Sequence, residues 1–329
     1  MATVKTKNKR AFNMRMTVMS FIIELIEICR RNNRLGTARN YDHTMNSFLS
    51  FLDGRDIPFK YVNDELMVEY EKWLVSRGIV RNSSSFYMRN LRSIYNKAVK
   101  RNLVEQSYPF RNVYTGIDHT RKRAVSEDTI VRLQRMDLEY SQSLAMARDL
   151  FVFSYCTRGM AFVDVAFLKK EDINDGVISY IRRKTGQQLS IRIEPCMEKI
   201  ICQYEKETEN SPYVFPIITA ENPEDAYMQY HVALTYYNRK LKRLAKELGE
   251  RASLSSYTAR HTWATTARKY NVPISVISAG MGHTSEKTTQ IYLAALDNSV
   301  IDQANQGIIR KLNDCLLYTS PSPRDRSLS

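Results

Sequence analysis

Cysteine is scarce and scattered in this chain. Five occur in 329 residues (Cys29, Cys156, Cys196, Cys202 and Cys315), an odd number. None forms a CxxC pair or stands at zinc-finger spacing from a histidine. That excludes a disulfide framework and a structural zinc site, and it fits a reducing cytoplasm. Long apolar runs are also missing: the first residues are polar and basic, without a signal-peptide core, and every apolar patch falls far short of a membrane span. Internal repeats are absent. Negative charge is in short supply, with 35 Asp+Glu against 49 Lys+Arg and a net charge of +14. Such a balance favours a polyanionic partner, the alternative being a merely solvated basic surface. A hydrophobic fraction of 43% and a charged fraction of 26% are ordinary for a soluble globular chain. The length suffices for two domains with cores of their own.

The pattern along the chain is mostly helical. Residues 1–16 carry Lys5, Lys7, Lys9, Arg10 and Arg15 without an acid, and read as a flexible basic arm or a solvated terminus. Phe21, Ile22, Leu25, Ile26 and Cys29 recur at helical steps. A second helix is expected over Thr37–Leu52, a third after the Asn63-Asp64 cap, and a fourth from Asn82-Ser83 to Ala98. The outer face of the fourth shows Arg81, Arg89, Arg92, Lys97 and Lys100. The pattern fades between Glu105 and Arg123, where Pro109, Gly116 and the basic run Arg121-Lys122-Arg123 mark a linker whose charges could follow a phosphate backbone. Ser126 reads as the next helix cap. Ser143–Cys156, Tyr237–Leu248 and Tyr257–Lys269 read as further helices. Residues 176–193 form the one convincing β region, with Val177, Ser179 and Ile181 alternating with Ile178, Tyr180 and Arg182 before a turn at Lys184–Gln187. The expected divisions are an arm over 1–16, a helical domain over 17–110, a linker over 111–124 and a second domain over 125–314. The tail from Cys315 to Asp325 matches, residue for residue, the open-frame translation of a transposon-end sequencing adaptor. Residues 315–329 are therefore expected to be non-native, with a natural Ser/Pro/Arg tail as the alternative.

Near the C-terminus stand Arg260-His261-Thr262-Trp263 and then Gly280-Met281-Gly282-His283, with Tyr292 nine residues after His283. An arginine, a histidine and a tyrosine suit attack on a DNA phosphate: a clamp, a hydrogen-bond donor and a phenolic nucleophile. Two guanidiniums can hold the equatorial oxygens of a pentacoordinate phosphorane, so no metal or cofactor is expected. A second arginine, Arg158, closes an apolar helix before another apolar run. It needs an anion or a carboxylate there, and an internal salt bridge to Asp164 is the alternative. Lys184 at the hairpin tip could reach a phosphate oxygen or simply face solvent. Arg182 and Arg183 beside it could grip backbone phosphates.

These residues, in the order Arg158, Lys184, Arg260, His283 and Tyr292, resemble the signature of tyrosine site-specific recombinases, the phage-integrase family. The resemblance spans roughly residues 17–314 and is strongest from Arg158 to Tyr292. It implies a mainly α fold: an N-terminal helical, SAM-like core-binding domain that clamps the duplex, then a mixed α+β catalytic domain with a small antiparallel sheet. It implies cutting through a 3′-phosphotyrosyl bond on Tyr292, with Arg158 and Arg260 clamping the phosphate and Lys184 protonating the leaving 5′-oxygen. His283 would bond the phosphate or the attacking phenol, and Asp164 would orient Arg158, although it lies six positions on where the family's acid lies three. Contacts to DNA would come from Arg89, Arg92, Arg121, Lys122, Arg123, Arg182 and Arg183. The implied partners are double-stranded DNA with inverted-repeat core sites, other copies of the chain in a tetramer linked by the stretch from Asp297 to Asn313, and DNA-bending accessory proteins. The implied location is the cytoplasm, at the nucleoid.

Two departures stand out. Arg158-Gly159-Met160 resembles a branch common in mobile elements. Tyr257 stands where the family's His-x-x-Arg box has histidine; its hydroxyl can donate a hydrogen bond to a phosphate oxygen, but a phenol titrating near ~10 cannot serve as a base at neutral pH. Either the base role is dispensable, or a water or His261, otherwise an ordinary helix histidine, fills it. Two other readings remain open: relaxation of supercoils by a type IB topoisomerase, and a non-catalytic DNA-binding regulator descended from a recombinase.

Overall fold

A computed structural model describes residues 16–118, 124–250, 253–293, 305–306 and 308–309. Residues 1–15 of the expected basic arm, the run Arg121-Lys122-Arg123, most of the stretch from Asp297 to Asn313 and the tail after Asp314 lie outside the described residues. The chain divides into two compact units, Met1–Thr120 with Glu221–Tyr227 and Arg121–Ala220 with Met228–Ser329.

The first unit is helical. Helices α1 (Val18–Arg31), α2 (Leu35–Phe51), α3 (Asp64–Ser76) and α4 (Arg81–Lys100) put their apolar stripes into one core. Phe21, Ile22, Phe48, Met67, Tyr70 and Met88 are wholly buried there. Asn63 caps α3 as expected, its side chain accepting the Leu66 N–H at 2.9 Å, while Asp64 and Glu65 face the positive end of the helix dipole. Residues beyond α4 stay on this core. Phe110 and Val113 are buried in it, the Tyr114 N–H donates to Glu71 Oε1 at 2.9 Å, and Asn82 Nδ2 donates to Asp118 O at 3.1 Å. The segment from 111 to 118, read from sequence as the start of the linker, is thus fixed by polar side chains of α3 and α4.

The second unit is mixed. Helices α5 (Glu127–Gln134), α6 (Gln142–Cys156) and α7 (Phe162–Ala166) precede a three-stranded antiparallel sheet of β1 (Ile173–Asn174), β2 (Val177–Ile181) and β3 (Gln188–Arg192), in the order β1-β2-β3. In register, Ile178 faces Ile191 and Tyr180 faces Leu189, and these four form the buried face. Helices α8 (Pro195–Tyr204), α9 (Pro223–Glu247), α10 (Thr258–Lys269), α11 (Ile274–Gly280) and α12 (Glu286–Leu293) follow. Buried Ala264, Ala267, Ile277, Met281 and Leu293 join α10, α11 and α12 in a small shared core. That core fixes α12 beside α10. No helix among the described residues is long and apolar enough to cross a membrane.

Candidate active site

Helix α6 ends where Thr157 turns its hydroxyl back onto Phe153 O, at 2.7 Å. The backbone then enters the left-handed region at two successive residues, Arg158 at φ 59° and Gly159 at φ 72°. Glycine takes this conformation freely, whereas an arginine there costs about 1–2 kcal/mol. The turn brings Gly159 against α10 so closely that a Cβ on it would lie 2.6 Å from Arg260 Cα. The backbones next to the two expected clamp arginines therefore touch. The Arg158 guanidinium donates through Nη1 to Ser190 O on β3, at 3.3 Å.

Arg260 is 3% exposed. Burial of a guanidinium demands partners for its donors, and two carbonyls supply them. Nη1 donates to Gly159 O at 2.7 Å, and Nη2 donates to Met281 O. Nη2 also lies 3.0 Å from His283 Nε2. His283 is buried in the turn after α11, where Gly282 sits at φ 63°. Its Nδ1 lies 2.8 Å from the hydroxyl of Thr289, a fully buried residue of α12. Burial first, and then the charges of Arg260, Arg182 and Lys184, push the imidazole down from its ordinary 6.5 to about 4. His283 is therefore neutral at physiological pH.

Asp164, expected to orient Arg158, is placed differently. Its Oδ1 accepts the Arg183 backbone N–H at 2.9 Å, while the Arg158 guanidinium goes to Ser190. Asp164 is 4% exposed, and burial raises its carboxyl above the ordinary range against the pull of the Arg183 N–H and the charges of Arg182, Arg260 and Arg183. The physical reason is position. Asp164 lies in the short helix α7, opposite the end of β2, so the backbone there supplies its donor.

Arg182 also departs from expectation. It is 4% exposed and donates through Nη1 to Gly282 O, so its guanidinium faces the His283 loop. Its position on the same face as Ile178 and Tyr180 already carried this signal. Arg183 is exposed, with its guanidinium 3.8 Å from the Phe167 ring centroid, and Lys184 stands exposed on the hairpin turn. Tyr257, 37% exposed, precedes α10, and its ring centroid lies 6.1 Å from that of His261. Tyr292 lies on α12, three residues after Thr289. In the first unit, Arg92 is exposed and donates to Thr115 Oγ1 at 3.0 Å, while Arg89 is half-buried. Sequence reasoning did not find Thr289 or the close approach at Gly159. A threonine among many carries no signal, and the glycine's role depends on a contact about a hundred residues away.

Two clustered arginines, a neutral imidazole and a lysine on a neighbouring turn together form a site able to bind and polarise a phosphodiester. Comparisons with known proteins agree in kind. The model described as "Phage integrase SAM-like domain" matches residues 17–113, and that described as "Phage integrase family" matches residues 123–299. A tyrosine recombinase of Pseudothermotoga lettingae is 25% identical over 283 residues, covering 80% of this chain and 92% of the relative. The tyrosine recombinase XerD of Pseudomonas aeruginosa is 22% identical over 269 residues, covering 78% and 85%. Among solved structures, the Tn1549 transposon integrase in complex with transposon right end DNA matches with a TM-score of 0.62 at 15% identity, covering 90% of this chain and all of that one. A lambda integrase dimer bound to a COC′ core site gives 0.61 at 15% identity, covering 84% and 77%. At such identities the likeness to solved structures speaks for the fold alone.

Proposed function

Since this chain belongs to the phage integrase family, we propose that it recombines DNA at specific sites by successive transesterifications through Tyr292. It is a tyrosine recombinase, and the roles of its side chains follow from their chemistry. Arg158 and Arg260 hold the non-bridging oxygens of the scissile phosphate, where charge grows as phosphorus becomes pentacoordinate. The Tyr292 phenol attacks phosphorus in line, and the ammonium of Lys184 gives its proton to the leaving 5′-oxygen. The 3′-phosphotyrosyl bond keeps the energy of the diester, so resealing to a new partner needs no nucleotide cofactor. Asp164 holds the Arg183 backbone N–H at the base of the hairpin that carries Lys184.

The observation that carries this reading is the meeting of Arg260 with both Gly159 O and His283. It draws the Arg158 turn, the Arg260 helix and the His283 loop onto one spot. The proposed partner is duplex DNA with inverted-repeat core sites, gripped by residues 17–110 and recombined by a tetramer whose chemistry lies in residues 125–314. DNA-bending proteins would assist, as would suit an enzyme of a mobile element. The test is a suicide substrate, nicked so that cleavage traps the covalent complex. Wild-type protein should accumulate a DNA adduct, and Tyr292→Phe should form none while binding the same DNA within about twofold, since it removes one oxygen and little surface. Wild-type protein that shifts specific DNA but never yields an adduct would leave a binding protein and refute the recombinase reading. Adducts that relax supercoils but never exchange partners would make it a topoisomerase.

A further inference from the structure

Two thiols meet close to the Arg158 turn. Cys156 is the last residue of α6, and Cys196 lies in the first turn of α8. The Cys196 S–H donates to Cys156 Sγ, with the two sulfurs 3.5 Å apart. Both residues are half-buried free thiols, but their surroundings differ. Burial first, and then the adjacent Cys196, pushes the Cys156 thiol up to about 12, so it keeps its proton at neutral pH. Cys196 follows exposed Glu194 and Pro195, so a soluble oxidant meets it first. The pair also straddles what holds Arg158. Cys156 stands two residues before it, and the turn between is tied to α6. There the Gly159 N–H donates to Ser154 O at 2.8 Å, and the Ser154 hydroxyl donates to Met160 O at 2.7 Å. On the other side, Ser190 O accepts the Arg158 guanidinium from β3, six residues before Cys196.

We propose that Cys156 and Cys196 form a dithiol site for peroxides, closing to a disulfide that displaces Arg158 and slows DNA cleavage; the effect on cleavage rests on the recombinase reading above. The Cys196 sulfur, as its thiolate, attacks one oxygen of hydrogen peroxide. The O–O bond breaks, hydroxide leaves and takes up the proton Cys196 gave away, and Cys196 is left as a sulfenic acid. The Cys156 sulfur then attacks the sulfenic sulfur. The S–O bond breaks, and the departing hydroxide carries off the Cys156 proton as a second water. Two thiols have lost two electrons and one peroxide has gained them. A disulfide needs about 2.05 Å between its sulfurs, so closing the 3.5 Å gap takes about 1.5 Å. Both residues belong to helices, so part of that movement falls on the ends of α6 and α8. A thiol reductant reverses the bond by exchange. In a reducing compartment the pair stays open until oxidant rises.

Peptide mass mapping and cleavage, both on the full-length chain, test the two halves separately. After mild hydrogen peroxide and then alkylation, trypsin should release Asp149–Arg158 joined to Ile193–Lys199, lighter than the two peptides by two hydrogens. Oxidised protein should form the suicide-substrate adduct about tenfold more slowly, because a misplacement of about 1 Å in a positioning group can cost a hundredfold. DNA affinity should stay within about twofold, since many phosphate contacts share it. Dithiothreitol should restore the rate, which separates the disulfide from methionine oxidation. Cys196→Ser should yield no joined peptide and keep its cleavage rate through the same treatment. Cys156→Ser should leave a sulfenic acid on Cys196, captured by dimedone. Wild-type protein in which both cysteines remain open to alkylation, or in which Cys196 oxidises without joining Cys156, overturns the site. A joined peptide with unchanged cleavage overturns its hold on Arg158. If reduced wild-type protein forms no adduct, it is the recombinase reading that fails, and control of cleavage fails with it. The joined peptide then decides the dithiol site by itself.

Discussion

A Cβ at position 159 would stand 2.6 Å from Arg260 Cα and 2.9 Å from its Cγ, on a residue already at φ 72°. Backbone meets backbone there, so neither side can give way by turning a rotamer. Gly159→Ala must either push α10 off the α6 turn or rebuild the turn that carries Arg158. Overpacking plus the left-handed penalty comes to about 2–5 kcal/mol, measurable by denaturant unfolding. Cleavage should suffer beyond the stability loss, because both clamp arginines adjoin the contact. A Gly159→Ala protein with wild-type stability and wild-type cleavage would show that the close approach does not matter. The sequence Arg158-Gly159 carried half of this: an arginine at the end of an apolar helix was legible as a candidate. Its left-handed backbone was not, because that depends on where α10 lies. For His283 the pairing with glycine was legible, while its partner Thr289 resembled any other helix residue.

At the scale of elements, the β2–β3 hairpin is tied down at the end that bears Lys184. Arg182 Nη1 donates to Gly282 O, the Arg183 N–H goes to Asp164 Oδ1, and a Cβ on Gly282 would lie 2.9 Å from Leu189 Cδ1. Arg182 thus joins the hairpin to the His283 loop. Arg182→Ala removes the donor of a buried carbonyl, costing about 1–3 kcal/mol, and frees the lysine turn from the loop. Cleavage of bound DNA should fall well below wild type while affinity and its salt dependence barely move. If affinity and the salt slope fall and cleavage at saturation does not, Arg182 is the phosphate grip that its sequence setting suggested. Strong local signals made most elements legible: the Asn63 and Ser126 caps, the apolar steps of α1, and the alternation through Tyr180. Elements without such signals were not. Helix α9 begins at Pro223, fourteen residues before the Tyr237 start read from sequence, because Tyr227, Tyr230 and Tyr236 blur the apolar period. A proline followed by Glu224 and Asp225 marked its true start. Strand β1 is two residues long and exists only by pairing with β2.

For the whole molecule, the segment from 111 to 118 shows the limit of composition: rich in polar residues, it reads as linker, while Asn82 and Glu71 hold its backbone. Net charge needs no folding to be read. At +14, the chain should bind DNA largely by displacing counterions, so affinity should fall steeply with salt. Each phosphate neutralised contributes roughly −0.9 to the slope of log K against log salt. Arg89 and Arg92 lie on α4, in the unit whose proposed task is to grip the duplex without taking part in the chemistry. Replacing both with alanine should make the slope shallower by about 2 and weaken binding to specific and random DNA alike. Adduct formation at saturating protein should stay at the wild-type rate, because neither residue belongs to the candidate site. Fluorescence anisotropy across a salt series gives the slope, and the suicide substrate gives the rate. A double variant with an unchanged slope would place the phosphate contacts of the first unit elsewhere on its surface. A double variant with a normal slope change but abolished cleavage would mean that grip and chemistry are coupled, and that the two units do not divide the work as proposed.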